Sequence, residues 1–141
     1  MKNLIVLLIL LLSVPRILSA ASFPTVCHTE LSSWIKTGQS LAIIDIQNLD
    51  DFRLHSYERS YATANNSGRI KKIARRLRAQ KDRVVVVSGR GGSDAVRAAE
   101  MLAAHGIARS RIMLLEGGIQ SSVKNVTCEC CKPASLSGSV Q

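Results

Sequence analysis

The sequence predicts a single α/β domain built on a parallel sheet, and three observations carry that prediction. Short, almost wholly apolar runs at 41–46, 84–87 and 112–115 read as strands covered on both faces. Between them lie segments whose apolar residues recur three and four apart, the mark of amphipathic helices. Strand and helix therefore alternate along the chain, as in a parallel sheet with crossover connections. A length of 141 residues suits one domain rather than two.

The elements follow in order. Residues 1–21 read as an export signal: Lys2 supplies positive charge, Leu4 to Leu12 is unbroken apolar chain, and Pro15 breaks it. Small residues follow at Ser19, Ala20, Ala21 and Ser22, which places cleavage after Ala20 or Ala21. The apolar run is shorter than the roughly twenty helical residues that a bilayer demands. An uncleaved anchor is the competing reading, because Arg16-Ile17-Leu18 extends the segment. No cysteine follows the small residues, so a lipoprotein anchor is not expected. Export implies a periplasmic or secreted protein.

The domain is expected over 22–125. Ser22 to His28 is a short extended entry; Thr29 is the expected N-cap of the first helix, with Glu30 in its first turn. Leu31, Trp34 and Ile35 mark the buried face, and Gly38 ends the helix. After the strand at Leu41–Ile46, residues Asn48 to Ala64 read as irregular, anchored by Leu49, Phe52 and Leu54. Ser67 is the expected cap of a second helix, with Ile70, Ile73, Ala74 and Leu77 on one side. Val84 to Val87, four β-branched residues in a row, is the clearest strand. A third helix is expected from Ser93 to His105, packed through Ala95, Ala98, Ala99 and Leu102 and stopped by Gly106. Ile112–Leu115 is the last strand, closed by Glu116-Gly117-Gly118. Residues 126–141 are read as a cysteine-containing flexible tail, polar and rich in Ser and Gly.

Chemistry in such a sheet is expected beyond the carboxyl ends of the strands, at the loops after Ile46 and after Val87. The second loop reads Ser88-Gly89-Arg90-Gly91-Gly92-Ser93-Asp94. Glycines allow consecutive backbone N–H groups to turn toward one centre, and the following helix N-terminus adds positive potential. Ser88, Gly89, Arg90, Gly91, Gly92 and Ser93 are the expected anion-binding residues, with Arg90 as a forked donor. The same pattern also serves as a plain packing turn between strand and helix.

The order Thr29-Glu30-Leu31 with Trp34, Ile43-Ile44-Asp45-Ile46, Val84–Val87 with its loop, Ala98-Ala99 with Leu102 and Gly106, and Leu114-Leu115-Glu116-Gly117-Gly118 resembles the rhodanese family over roughly residues 28–121. The resemblance implies a single rhodanese-like domain, a parallel sheet of about five strands with helices on both faces. It also implies sulfane-sulfur transfer through a cysteine persulfide in the loop. Here the departures matter. The nucleophile position falls on Ser88 when aligned from the strand and on Gly89 when aligned from the helix. A hydroxyl cannot replace a thiolate that must form and release an S–S bond. The family's loop-end arginine falls on Ser93 or Asp94, the arginine after the early acid is Gln47, and the tryptophan after Gly117-Gly118 is missing. The loop looks closer to the non-catalytic domain of tandem rhodaneses, so no catalytic group is expected in it. Ser88 as a different nucleophile would need His55 or His105 as its base; His105 lies at the wrong end of the helix, and His55 reads as an exposed loop residue.

The four cysteines, Cys27, Cys128, Cys130 and Cys131, lie outside the expected central body. Export favours a structural disulfide between Cys27 and the tail. The alternatives are a soft-metal site at Cys128, Cys130 and Cys131, or redox and sulfur chemistry there. No metal and no cofactor belong to the leading reading.

The net charge of +9 and pI near 10.0 favour anionic partners. Loss of Lys2 and Arg16 with the signal leaves 17 basic and 10 acidic residues, a charge of +7. The segment Arg69 to Arg83 carries eight cations, on a helix whose other face is apolar. That is the pattern of an ordinary solvated helix, or of one that contacts an anionic membrane surface or an acidic partner. Nucleic acid is not an expected partner, because the chain is read as exported and aromatic residues are only 4%. Asn65-Asn66-Ser67 and Asn125-Val126-Thr127 match the glycosylation acceptor pattern, with meaning only in a eukaryotic source. The leading expectation is an exported, non-catalytic module binding a small anion or an exported protein partner. A sulfurtransferase or thiol-redox protein working through the tail cysteines is the enzyme alternative.

Overall fold

The computed structural model describes residues 22–123. They form β1 (Thr25–Val26), α1 (His28–Lys36), β2 (Leu41–Asp45), α2 (Leu49–Leu54), β3 (Tyr61–Ala62) and α3 (Ser67–Leu77). The chain continues through β4 (Arg83–Val87), α4 (Ser93–Ala104), a 3₁₀ turn at Arg109–Arg111, β5 (Ile112–Leu115) and α5 (Ile119–Val123). The five strands form one parallel sheet in the order β1-β5-β4-β2-β3. The fold class is therefore the α/β parallel sheet that the sequence predicts.

β4 sits at the centre, with Ala42 and Ile44 of β2 opposite Val84 and Val86, and Ile112 and Leu114 of β5 on its other side. Its side chains alternate between two cores, because successive residues of a strand point to opposite faces. Val84 and Val86 join Ile44, Ile70, Ile73, Leu77, Ala98 and Leu102 under α3 and α4. Val85 and Val87 join Val26, Leu31, Trp34, Ile43 and Ile119 under α1 and α5. Helices thus cover both faces, which explains why the strand shows no polar alternation. α3 and α4 contact each other through small and branched residues, and Gly106, at φ +95°, ends α4's exit turn against the Arg78 stem.

Several local expectations change. The first helix begins after Cys27, which occupies the N-cap position without a side-chain cap bond; Thr29 lies inside the helix. Cys27 is buried in the core rather than outside it. The cap of α3 is Asn66, whose side chain accepts from the Arg69 amide, so Ser67 is its first helical residue. The basic helix ends at Leu77, and Arg83 belongs to β4. The segment 48–64 is not irregular: Asn48 caps α2 by accepting from the Asp50 and Asp51 amides, and β3 follows. Leu49 and Leu54 are exposed, at 40% and 73%, so they do not anchor it. Tyr57 does so, packing against the α1-side core. Gly38 ends the α1 turn as expected, at φ +68°.

The expected signal at 1–21 and the tail at 126–141, with Cys128, Cys130, Cys131 and the Asn125 acceptor, lie outside the described residues. Among the described residues, no helix is long and apolar enough to cross a membrane.

Candidate functional site

The carboxyl ends of β2, β4 and β5 open onto three short segments, 46–48, 88–92 and 116–118, and these meet. A cleft of about 390 Å³ lies there, lined by Gln47, Asn48, Asp51, Ser88, Gly89, Arg90, Gly91, Asp94 and Gln120, with Ile46 at its back. The expected anion-loop residues Ser88, Gly89, Arg90 and Gly91 are thus brought together. Gly92 and Ser93 stand at the start of α4 just beyond them.

The loop is held in a specific way. Ser88, the first residue after β4, is buried, and its Oγ accepts from the Gly91 amide at 2.7 Å. Gly91 and Gly92 adopt φ +74° and +87°, which reserves both places for glycine. From the other side the turn before α5 latches on: the Ile119 amide donates to Ser88 O at 2.8 Å and the Gln120 amide to Gly89 O at 3.0 Å. The Arg90 Nε–H donates to Gln120 Oε1 at 3.2 Å, so the guanidinium leans on α5 while the residue stays exposed. The amides of Gly89, Arg90 and Gly92 hydrogen-bond to nothing among the described residues. Two carboxylates rim the cleft, but Asp94 pairs with Arg97 and Asp51 accepts from the Asn48 amide nitrogen.

Behind the loop, Asp45 ends β2 fully buried. Its two oxygens accept from the Gln47 backbone amide at 2.9 Å and the Gln47 side-chain amide at 3.1 Å. Gln47 Nε2 also donates to His55 O at 3.1 Å and so ties the 46–48 turn to the end of α2. Burial raises the Asp45 pKa above its ordinary 3.8, outweighing the two Gln47 hydrogen bonds that lower it. The folded protein therefore holds the Asp45 proton more tightly than the unfolded chain. Stability from this group is full below 3.8 and falls as pH rises through the window between that value and the raised native one. Asp45→Asn should flatten that slope in urea midpoints measured across the window; an unchanged pH profile would contradict the assignment.

A second cluster adjoins the first. His28, at the start of α1, has Nε2 at 2.8 Å from Gly118 O, an acceptor only, so Nε2 carries the proton. Nδ1 is then the acceptor for the Tyr57 hydroxyl. Ser121 Oγ lies 2.9 Å from the same Nε2. Burial, with the Cys27 sulfur adding in the same direction, pushes the Tyr57 phenol up to about 12. His28 and Tyr57 line a broader cleft of about 580 Å³ with Lys36, His55 and Ile119. This cluster fixes the Gly117–Gln120 turn against the rest of the domain.

Ser88 has no imidazole bonded to it; its hydroxyl serves Gly91 instead. His105 caps the far end of α4, and His55 is exposed in the neighbouring cleft. Sequence reasoning missed Gln120, His28 and Tyr57. The Gly117-Gly118 pair was the available signal, since two left-handed glycines beside the loop mark a close backbone approach. Among the described residues, no group of three His, Cys, Asp or Glu side chains is placed to hold a metal.

No family model matches the sequence, and no curated protein matches it either. Solved structures do. A rhodanese-related protein from Thermoplasma volcanium aligns at 19% identity over 75% of this chain and 96% of its own, with a TM-score of 0.57. A yeast protein tyrosine phosphatase of the rhodanese family aligns at 17% identity over 77% and 88%, TM-score 0.58. A human single-domain sulfurtransferase aligns at 13% over 75% and 100%, TM-score 0.56. The likeness establishes the rhodanese fold, over nearly the whole length of these proteins.

Proposed function

We propose, with the rhodanese fold as premise, that this chain is an exported, non-catalytic module whose Ser88–Ser93 loop binds a small anion. The observation that carries the reading is the pair of facts at the loop. It holds a serine where a persulfide chemistry needs a thiol, yet it keeps the backbone amides of Gly89, Arg90 and Gly92 without internal partners. Unpartnered amides in a glycine turn ahead of a helix N-terminus attract an oxyanion, and Arg90's remaining donors add charge. The cleft of about 390 Å³ has ample room for an ion such as sulfate or thiosulfate. Export rests on the residues 1–21 reading and is part of the proposal.

Titration with thiosulfate or sulfate, followed by amide NMR, should shift Gly89, Arg90 and Gly92. Arg90→Ala should weaken the affinity about tenfold, as expected for loss of a charge-assisted hydrogen bond. Sulfur transfer from thiosulfate to cyanide should be absent. Unmoved loop amides would sink the reading. Transfer that Cys130→Ser or Cys131→Ser abolishes would replace it with the sulfurtransferase alternative, which the human neighbour makes worth testing.

A further inference from the structure

We infer that α3 is a docking surface for an anionic lipid bilayer. From Arg59 to Lys81 the chain contains no Asp or Glu and eight Lys or Arg. Six of these, Arg69, Lys71, Lys72, Arg75, Arg76 and Arg78, lie on α3 or its C-cap. All six are exposed, and none takes part in an ion pair among the described residues.

Their placement is geometric rather than diffuse. Ile70, Ile73, Ala74 and Leu77 bury one side of the helix against the sheet. At about 100° per residue, the six cations fan over an arc of roughly 180° centred opposite that buried stripe. The helix therefore aims its whole positive face straight away from the core. Over α3's length this forms a ridge about 17 Å long.

Such a face is costly to the isolated protein. Arg69 and Lys72, Lys71 and Arg75, Lys72 and Arg76, and Arg75 and Arg78 are like-charged neighbours at three or four residues, each pair destabilising. No acidic residue of the helix relieves them, although an acidic residue in the first turn would also suit the dipole. Elsewhere the surface does pair its charges, Arg53 with Asp50, Arg97 with Asp94 and Arg109 with Glu100.

The occupant is chosen by shape and composition. A continuous convex ridge of cations, with its apolar side already used by the core, fits a planar array of anionic headgroups held by charge alone. The ridge itself carries no aromatic residue to stack a base and no apolar residue to insert.

The test uses the full chain and two vesicle preparations, phosphatidylcholine alone and phosphatidylcholine doped with phosphatidylglycerol. The readout is the increment in cosedimentation that phosphatidylglycerol adds. The variant Lys71→Gln, Lys72→Gln, Arg75→Gln, Arg76→Gln changes only exposed side chains and should melt at an unchanged or higher temperature. It should lose that increment by a hundredfold or more, at roughly fivefold per cation removed. Raising the salt should abolish the increment in the parent chain. The inference is overturned by no increment at low salt, by an increment that survives the four substitutions, or by tighter binding to polyglutamate or a duplex oligonucleotide in competition with the vesicles.

Discussion

Gly118→Ala is expected to lower the unfolding free energy by about 3 kcal/mol or more, a loss of roughly 12–24 °C in melting temperature. Gly118 sits at φ +67°, a conformation that costs a β-carbon residue about 1–2 kcal/mol by itself. The larger cost is contact. An added Cβ would lie 2.4 Å from the Gly91 nitrogen, 2.7 Å from Ser88 O and 2.8 Å from the Arg90 carbonyl carbon. Those atoms are backbone of the candidate anion loop and cannot rotate away. To make room, the loop must part from the turn, breaking the Ile119 to Ser88 and Gln120 to Gly89 hydrogen bonds.

Two other glycines calibrate the effect. At Gly92, φ +87° with nothing within 4 Å, alanine meets only the conformational cost. At Gly117, φ +69°, the new carbon meets the Ser121 Cβ and Oγ, both at 2.9 Å, one pair of side-chain contacts against Gly118's three backbone ones. Gly92, at ψ −156°, lies in a region open essentially to glycine alone, so its variant shows what backbone conformation costs without contact, and Gly118→Ala is expected to exceed both. Thermal melts of the three variants decide it, and a Gly118→Ala variant as stable as Gly92→Ala would refute the close-approach account. The same variant should also lose anion binding, since the loop amides would no longer be held in place.

The parts of the fold that were readable are those in which local pattern and tertiary environment agree. Val84–Val87 reads as a buried strand because both of its faces are covered, and α4 reads as a helix because its alanines face α3 and β4. Two helix starts differ by one or two residues from what residue type alone predicts. Asn66 and Ser67 are both good caps, and only the bond from the Arg69 amide to the Asn66 side chain separates them. Thr29 looked the better cap by residue type, yet β1 runs almost directly into α1 and sinks Cys27 into the core at the N-cap. α2 is six residues long, too short to show a period, although Asn48 and Asp51 form a reciprocal cap pair that a motif search could find.

The site divides in the same way. The Ser88–Asp94 loop was legible because glycines and a strand-to-helix junction are local signals. What braces it was not: His28 reaches Gly118 and Ser121 across 90 and 93 positions of chain, and Arg90 reaches Gln120 across 30. Such contacts depend on β1 lying beside β5, a pairing of a two-residue strand that no periodicity announces. Asp45 and Gln47 lie between these cases. Their positions were marked by the rhodanese resemblance, but what Gln47 does beside Asp45 is seen only in the structure. There burial raises the Asp45 pKa, and the neutral Gln47 amide that donates to the carboxyl lowers it without offsetting that rise.

Val85→Asp and Val86→Asp are each expected to abolish the cooperative native melt. The two positions are adjacent on β4, fully buried, and face opposite cores. In a sheet with one wet face, one of the two would tolerate a carboxylate. Here Val85 meets the α1 side, with Leu31 and Trp34, while Val86 meets the α3 and α4 side, with Ile70 and Leu102. Neither core offers a cation, and leaving an unpaired ion in such a place costs several kcal/mol after relaxation. That is a large share of the roughly 5–15 kcal/mol that holds a domain of this size together. Arg83→Asp on the same strand is the control. It loses the stack on Trp34 and a hydrogen bond to Gln39, both at the exposed edge, and should cost about 1 kcal/mol. Circular dichroism melts of the three variants test the claim, and a cooperative transition retained by either valine variant would mean that one face of the sheet is open to water.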